Sequence, residues 1–80
     1  NMENINRTLS KLILCVEMEN WEKAEMFMET IRQLTEGAPR EISREILRLK
    51  MAVQKENYEK VAAQHKLLEE KFAAGSSEMG

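Results

Sequence analysis

The chain has 80 residues, 42% of them hydrophobic and 32% charged, with 12 Lys and Arg against 14 Asp and Glu and a net charge of −2. A chain of this length makes one domain with a thin core, since it buries only about 60% of the surface its unfolded form exposes. No basic excess is present to neutralise phosphates, which argues against a nucleic-acid partner, and no apolar run approaches the ~20 residues of a membrane span.

With 3 Gly and 1 Pro, the chain has few places to turn, which favours a few long helices over many short strands. The start, Asn1-Met2-Glu3-Asn4, has no basic stretch followed by an apolar one, so no secretory leader is expected. Cys15 is the single cysteine. It cannot form an internal disulfide or a multi-cysteine metal site, and it reads as a small buried hydrophobe in a cytoplasmic protein.

Apolar residues recur at helical spacing in four segments. The first carries Ile5, Leu9, Leu12 and Val16, with Ile13 widening the stripe. The second carries Trp21, Ala24, Met28 and Ile31, flanked by Phe27 and Leu34. Ile42, Ile46, Leu49 and Val53 mark the third, and Tyr58, Val61, His65, Leu68 and Phe72 the fourth.

The breaks between segments are equally legible. Asn20 and Asn57 suit helix N-caps, each followed by a first-turn glutamate, Glu22 or Glu59, that complements the helix dipole. Gly37 suits the end of the second helix and Pro39 the first turn of the third. The spacing therefore predicts an all-α, antiparallel four-helix bundle of two helical hairpins over residues 1–72, with a flexible tail over 73–80. The two corners repeat: Val16 to Ala24 aligns with Val53 to Val61, each with an asparagine cap and an aromatic that opens a buried face. Tetratricopeptide arrays also turn at a small polar pair before an aromatic. Their spacing and first-helix small residues are absent here, and two units are few for a solenoid.

No catalytic or cofactor site emerges. The glycines at 37, 75 and 80 are scattered, so there is no phosphate-cradling loop, and no Ser, His and acid arrangement stands out. His65 has Glu69 four residues on, which is too little for a metal site. Its place on the apolar stripe predicts a half-buried ring with a hydrogen-bond partner. On a helical wheel Met26 falls opposite the buried stripe of the second segment, near Thr30 and Gln33.

The stretch from Val16 to Phe72 resembles the histidine-containing phosphotransfer (Hpt) domain of bacterial two-component signalling. In that family a hairpin opening with a polar pair and an aromatic leads to a motif of the form H-[ST]-L-K-G. Here Asn20-Trp21-Glu22 looks like the opening, and eight residues after the tryptophan the position of the phospho-accepting histidine holds Glu29. Thr30-Ile31-Arg32-Gln33 resembles the next four positions, with Gln33 where the family has glycine. The wheel places Glu29 away from the buried stripe and Arg32 about one turn from it.

The resemblance implies a bundle that has kept the acceptor position and lost the acceptor. A carboxylate cannot form the phosphoramidate on which histidine phosphotransfer depends, and Gln33 fills space needed by an approaching aspartyl phosphate. The expectation is a non-enzymatic, Hpt-like interaction module without cofactor or metal. Its partner would be a receiver or kinase domain, and Met26, Glu29, Arg32 and Gln33 its partner-binding residues. The alternative is a structural or oligomerising bundle unrelated to phosphotransfer, for instance a homodimer.

Overall fold

The computed structural model describes residues 2–79, with side chains described through Ala74. Among them lie four helices and no strand: α1 Met2–Glu17, α2 Trp21–Leu34, α3 Arg40–Gln54 and α4 Tyr58–Met79. Each helix packs on its neighbours in chain order, and α4 closes back on α1, giving an up-down-up-down four-helix bundle. Because α1 contacts α4, the two hairpins close around one core and do not stack as an open solenoid. The expected flexible tail falls mainly on Gly75–Gly80, outside the residues whose side chains are described. Ala73 and Ala74 still belong to α4.

The core consists of the stripes read from the sequence. Ile5, Leu9, Leu12 and Val16 of α1 meet Ala24, Met28 and Ile31 of α2, Ile46, Leu49, Ala52 and Val53 of α3, and Val61 and Leu68 of α4. Ile13, Cys15, Trp21, Phe27, Leu34, Ile42 and Phe72 pack partly buried against this cluster. Cys15 is thus half-buried and free.

Tyr58 corrects the expectation of an aromatic opening the fourth helix's buried face, because it is 47% exposed. It sits in the first turn of α4 at the end of the bundle, at the rim of an open hollow shared with Val16, Glu17, Trp21 and Glu56, and the buried face begins one turn later at Val61.

The two corners share one geometry. At the first, the Glu19 N–H donates to Val16 O (3.0 Å) and the Asn20 N–H to Cys15 O (2.8 Å). At the second, the Glu56 N–H donates to Val53 O (3.0 Å) and the Asn57 N–H to Ala52 O (3.1 Å). Both are Schellman ends, which place one residue in the left-handed region. Glu19 (φ 59°) and Glu56 (φ 52°) occupy those places. The asparagine that ends one helix then caps the next: Asn20 Oδ1 accepts from the Lys23 N–H (3.2 Å) and Asn57 Oδ1 from the Lys60 N–H (3.1 Å).

A left-handed non-glycine residue costs about 1–2 kcal/mol, part of which glycine returns as unfolded-chain entropy. Glu19→Gly and Glu56→Gly are each expected to stabilise the bundle by about 0.5–1 kcal/mol. Thermal melts should rise by a few degrees for each, and nearly additively, because the corners are separate.

The α2–α3 connection works differently. The Thr35 hydroxyl donates to Ile31 O (2.8 Å) at the end of α2, and Gly37 takes φ 84°. Pro39 stands at the cap of α3, one residue ahead of the first turn expected for it; its carbonyl accepts the N–H groups of Ile42 and Ser43, each at 3.0 Å.

One buried group was not foreseen. Glu45 is only 5% exposed and lies on the inner side of α3. Its Oε1 accepts from Gln64 Nε2 (2.9 Å) and meets Arg48 Nη1 at 3.4 Å, while Oε2 meets Lys71 Nζ at 3.2 Å. Lys71 also reaches Glu41 Oε1 at 2.7 Å. The Gln64 and Lys71 bonds tie α4 to α3 by directional contacts. The Gln64 hydrogen bond, followed by Lys71 and Arg48, holds the Glu45 carboxyl below its ordinary value of 4.5 against the opposing effect of burial.

Candidate functional site

The outer surface of α2 is set by the register of its inner one. With Ala24, Met28 and Ile31 buried, the 100° step of a helix turns Met26, Glu29 and Gln33 to solvent. Met26 is 66% exposed, and its carbonyl accepts the Thr30 hydroxyl at 3.3 Å.

Glu29 and Arg32 form a two-pronged ion pair: Nη2 lies 2.7 Å from Oε1 and Nε 3.1 Å from Oε2, with the Arg32 side chain 45% and the Glu29 side chain 50% exposed. The Arg32 hydrogen bond, helped by the charges of Arg32 and Lys50 and by Gln33, holds the Glu29 carboxyl below its ordinary value. Glu29 in turn raises Arg32. Glu29 is therefore a fixed anion at neutral pH, oriented by an arginine one turn on.

This face continues into the groove between α2 and α3. Glu25, Glu29 and Lys50 line its part near the corners, and Arg32, Glu36, Leu47 and Lys50 its part near the α2–α3 loop. The four residues singled out from the sequence thus share one exposed helix surface, with Glu29 and Arg32 at its edge toward α3. Lys50 is the member that sequence reading missed. It comes from another helix, and only the antiparallel packing of α2 on α3 brings its charge to Glu29.

His65 is turned inward. Its side chain is 14% exposed, and Nδ1 lies 3.4 Å from Glu69 Oε1. A nucleophilic ring nitrogen needs room for a phosphoryl group and its partner aspartate, and the covered ring of His65 offers little. Among the described residues, no group of three or more His, Cys, Asp or Glu is arranged to hold a metal ion, and no helix is long and apolar enough to cross a membrane.

Comparison of the chain with protein-family models, with curated proteins and with solved structures found no match in any of the three.

Proposed function

We propose that this chain is a non-catalytic, Hpt-like protein–protein interaction module of a bacterial two-component signalling protein, working in the cytoplasm. The outer face of α2 would dock a receiver or kinase domain without relaying phosphate. The observation that carries the reading is the placement of Glu29: eight residues beyond Trp21, exposed, and clamped by Arg32 on the helix that closes the first hairpin. At the position where the Hpt pattern has an outward imidazole beside a lysine, this chain has an outward carboxylate beside an arginine. The carboxylate has no nitrogen lone pair to attack phosphorus, so chemistry is lost there. Charge, exposure and an adaptable methionine remain, and these are properties of a docking surface.

Titration of the isotope-labelled chain with receiver domains tests this reading. Saturable amide shifts are expected at Met26, Glu29, Arg32 and Gln33, and Met26→Asp should weaken binding by about tenfold or more while leaving the thermal melt in place. Shifts confined to other faces would refute the assignment of the surface.

A second reading has its own observation. Leu14 on α1 and Met18 just past its end are 56% and 77% exposed, an apolar pair suited to a self-associating bundle. A solution mass of twice the chain, lost on Leu14→Glu, would favour that reading.

A further inference from the structure

The grooves between neighbouring helices differ in charge. The α2/α3 groove carries both signs, with Glu25 and Glu29 facing Lys50. The α3/α4 groove does not. Its α3 wall is Arg48, Met51, Ala52 and Lys55, its α4 wall is Lys60, Ala63, Gln64 and Leu67, and the space between them is about 400 Å³. No carboxylate lines this groove, although acidic residues outnumber basic ones 14 to 12 in the chain.

The acid below it, Glu45, is buried and already held by Gln64, Lys71 and Arg48. Among the described residues Lys55 and Lys60 make no ion pair.

The shape is as specific as the charge. Each wall steps at i, i+3, i+4 and i+7, so the groove lies between two parallel ridges about two turns, or ~10 Å, long. Ala52 and Ala63 leave its middle open, and Met51 and Leu67 give it apolar sides. A third helix fits between two helical ridges by the same ridge-into-groove packing that builds the bundle.

We propose that the α3/α4 groove binds an acidic amphipathic helix of a partner protein. Its apolar stripe lies against Met51, Ala52, Ala63 and Leu67, and its carboxylates lie over Arg48, Lys55 and Lys60. The unpaired Lys55 and Lys60, with Arg48 shared with Glu45, select an acidic helix and reject a basic one with the same stripe. The proposal is independent of the α2 face, because none of its residues belongs to that face.

The test is a titration of the labelled chain with an acidic peptide about five helical turns long, with leucines on one stripe and glutamates elsewhere. A second peptide carries lysines in place of the glutamates. The acidic peptide is expected to give saturable shifts at Arg48, Met51, Ala52, Lys55, Lys60, Ala63 and Leu67. The paired change Lys55→Glu with Lys60→Glu should weaken it by about tenfold or more. Ala63→Gln, which fills the groove without altering charge, should do the same, and both variants are at exposed positions that leave the fold intact. Four results would each overturn the proposal: no saturable shift up to about 1 mM peptide, shifts on other faces, equal binding of the lysine peptide, or a second copy of the chain occupying the groove.

Discussion

Leu49→Ala is expected to destabilise the bundle by about 3 kcal/mol, within the ~2–5 kcal/mol span of buried Leu→Ala changes. Leu49 is fully buried at 0% exposure and belongs to the cluster shared by all four helices. Removing its side chain forfeits the transfer energy of three carbons and leaves a void that helices locked by two Schellman corners close only in part. A domain of this size has about 5–15 kcal/mol of stability in total. The melting temperature should therefore fall by about 10–25 °C. A loss under about 1 kcal/mol, by calorimetry or denaturant melts, would mean that the core is not packed as described.

Glu45→Ala should cost about 1–2 kcal/mol, a large effect for a glutamate on a helix this polar. The change strips Gln64 and Lys71 of a buried acceptor, though each keeps another partner, in Glu45 O and in Glu41, which holds the loss to the lower part of the usual range.

The pH dependence has a definite sign. The folded-state value of Glu45 lies below its ordinary 4.5, so its contribution is fully present above about pH 4.5 and is lost as the pH falls through the depressed folded value. Lys71, raised above its ordinary 10.5 by Glu41 and Glu45, contributes below that value and loses its contribution only as the pH rises through its folded value. Glu45→Gln keeps an acceptor for Gln64 and removes the charge. Its stability should therefore fall less steeply than the parent's between neutral pH and about pH 3, measured by urea melts at stepped pH. An acid limb as steep as the parent's would remove Glu45 from the account.

The fold was largely legible because its determinants are local. The stripe of α1 is buried at each of its four named positions, Ile5, Leu9, Leu12 and Val16, since 3.6-residue periodicity needs no knowledge of the partner helix. The caps at Asn20 and Asn57 are local hydrogen bonds and read just as directly.

What escaped depends on how the helices meet. Tyr58 matches the spacing of a buried position, yet it stands at the bundle's end, where spacing carries no information about cover. Glu45 reads as one more solvated charge until α3 and α4 are folded about Glu56. That antiparallel register sets Glu41 opposite Lys71 and Glu45 near Gln64, and this pairing of an acid ladder with a base and an amide is the signal that would have found it. Lys50 beside Glu29 is the same case on the other side of α3. The outward register of Met26, Glu29 and Gln33 needed only the position of the buried stripe on their own helix. A partner for the proposed docking face would be written in another chain, so its identity is not encoded in this one.

On the proposed Hpt-like reading, Glu29 stands at the acceptor position and only the acceptor's chemistry is missing. The most direct measurement incubates the parent chain and a Glu29→His/Gln33→Gly variant with a panel of receiver domains carrying labelled aspartyl phosphate. The variant places an imidazole on the exposed face and clears space beside it. No label is expected on the parent, and an acid-labile, base-stable label is expected on the folded variant at the substituted position. Label on the parent at His65, or a folded variant that accepts none from any receiver, would contradict this reading.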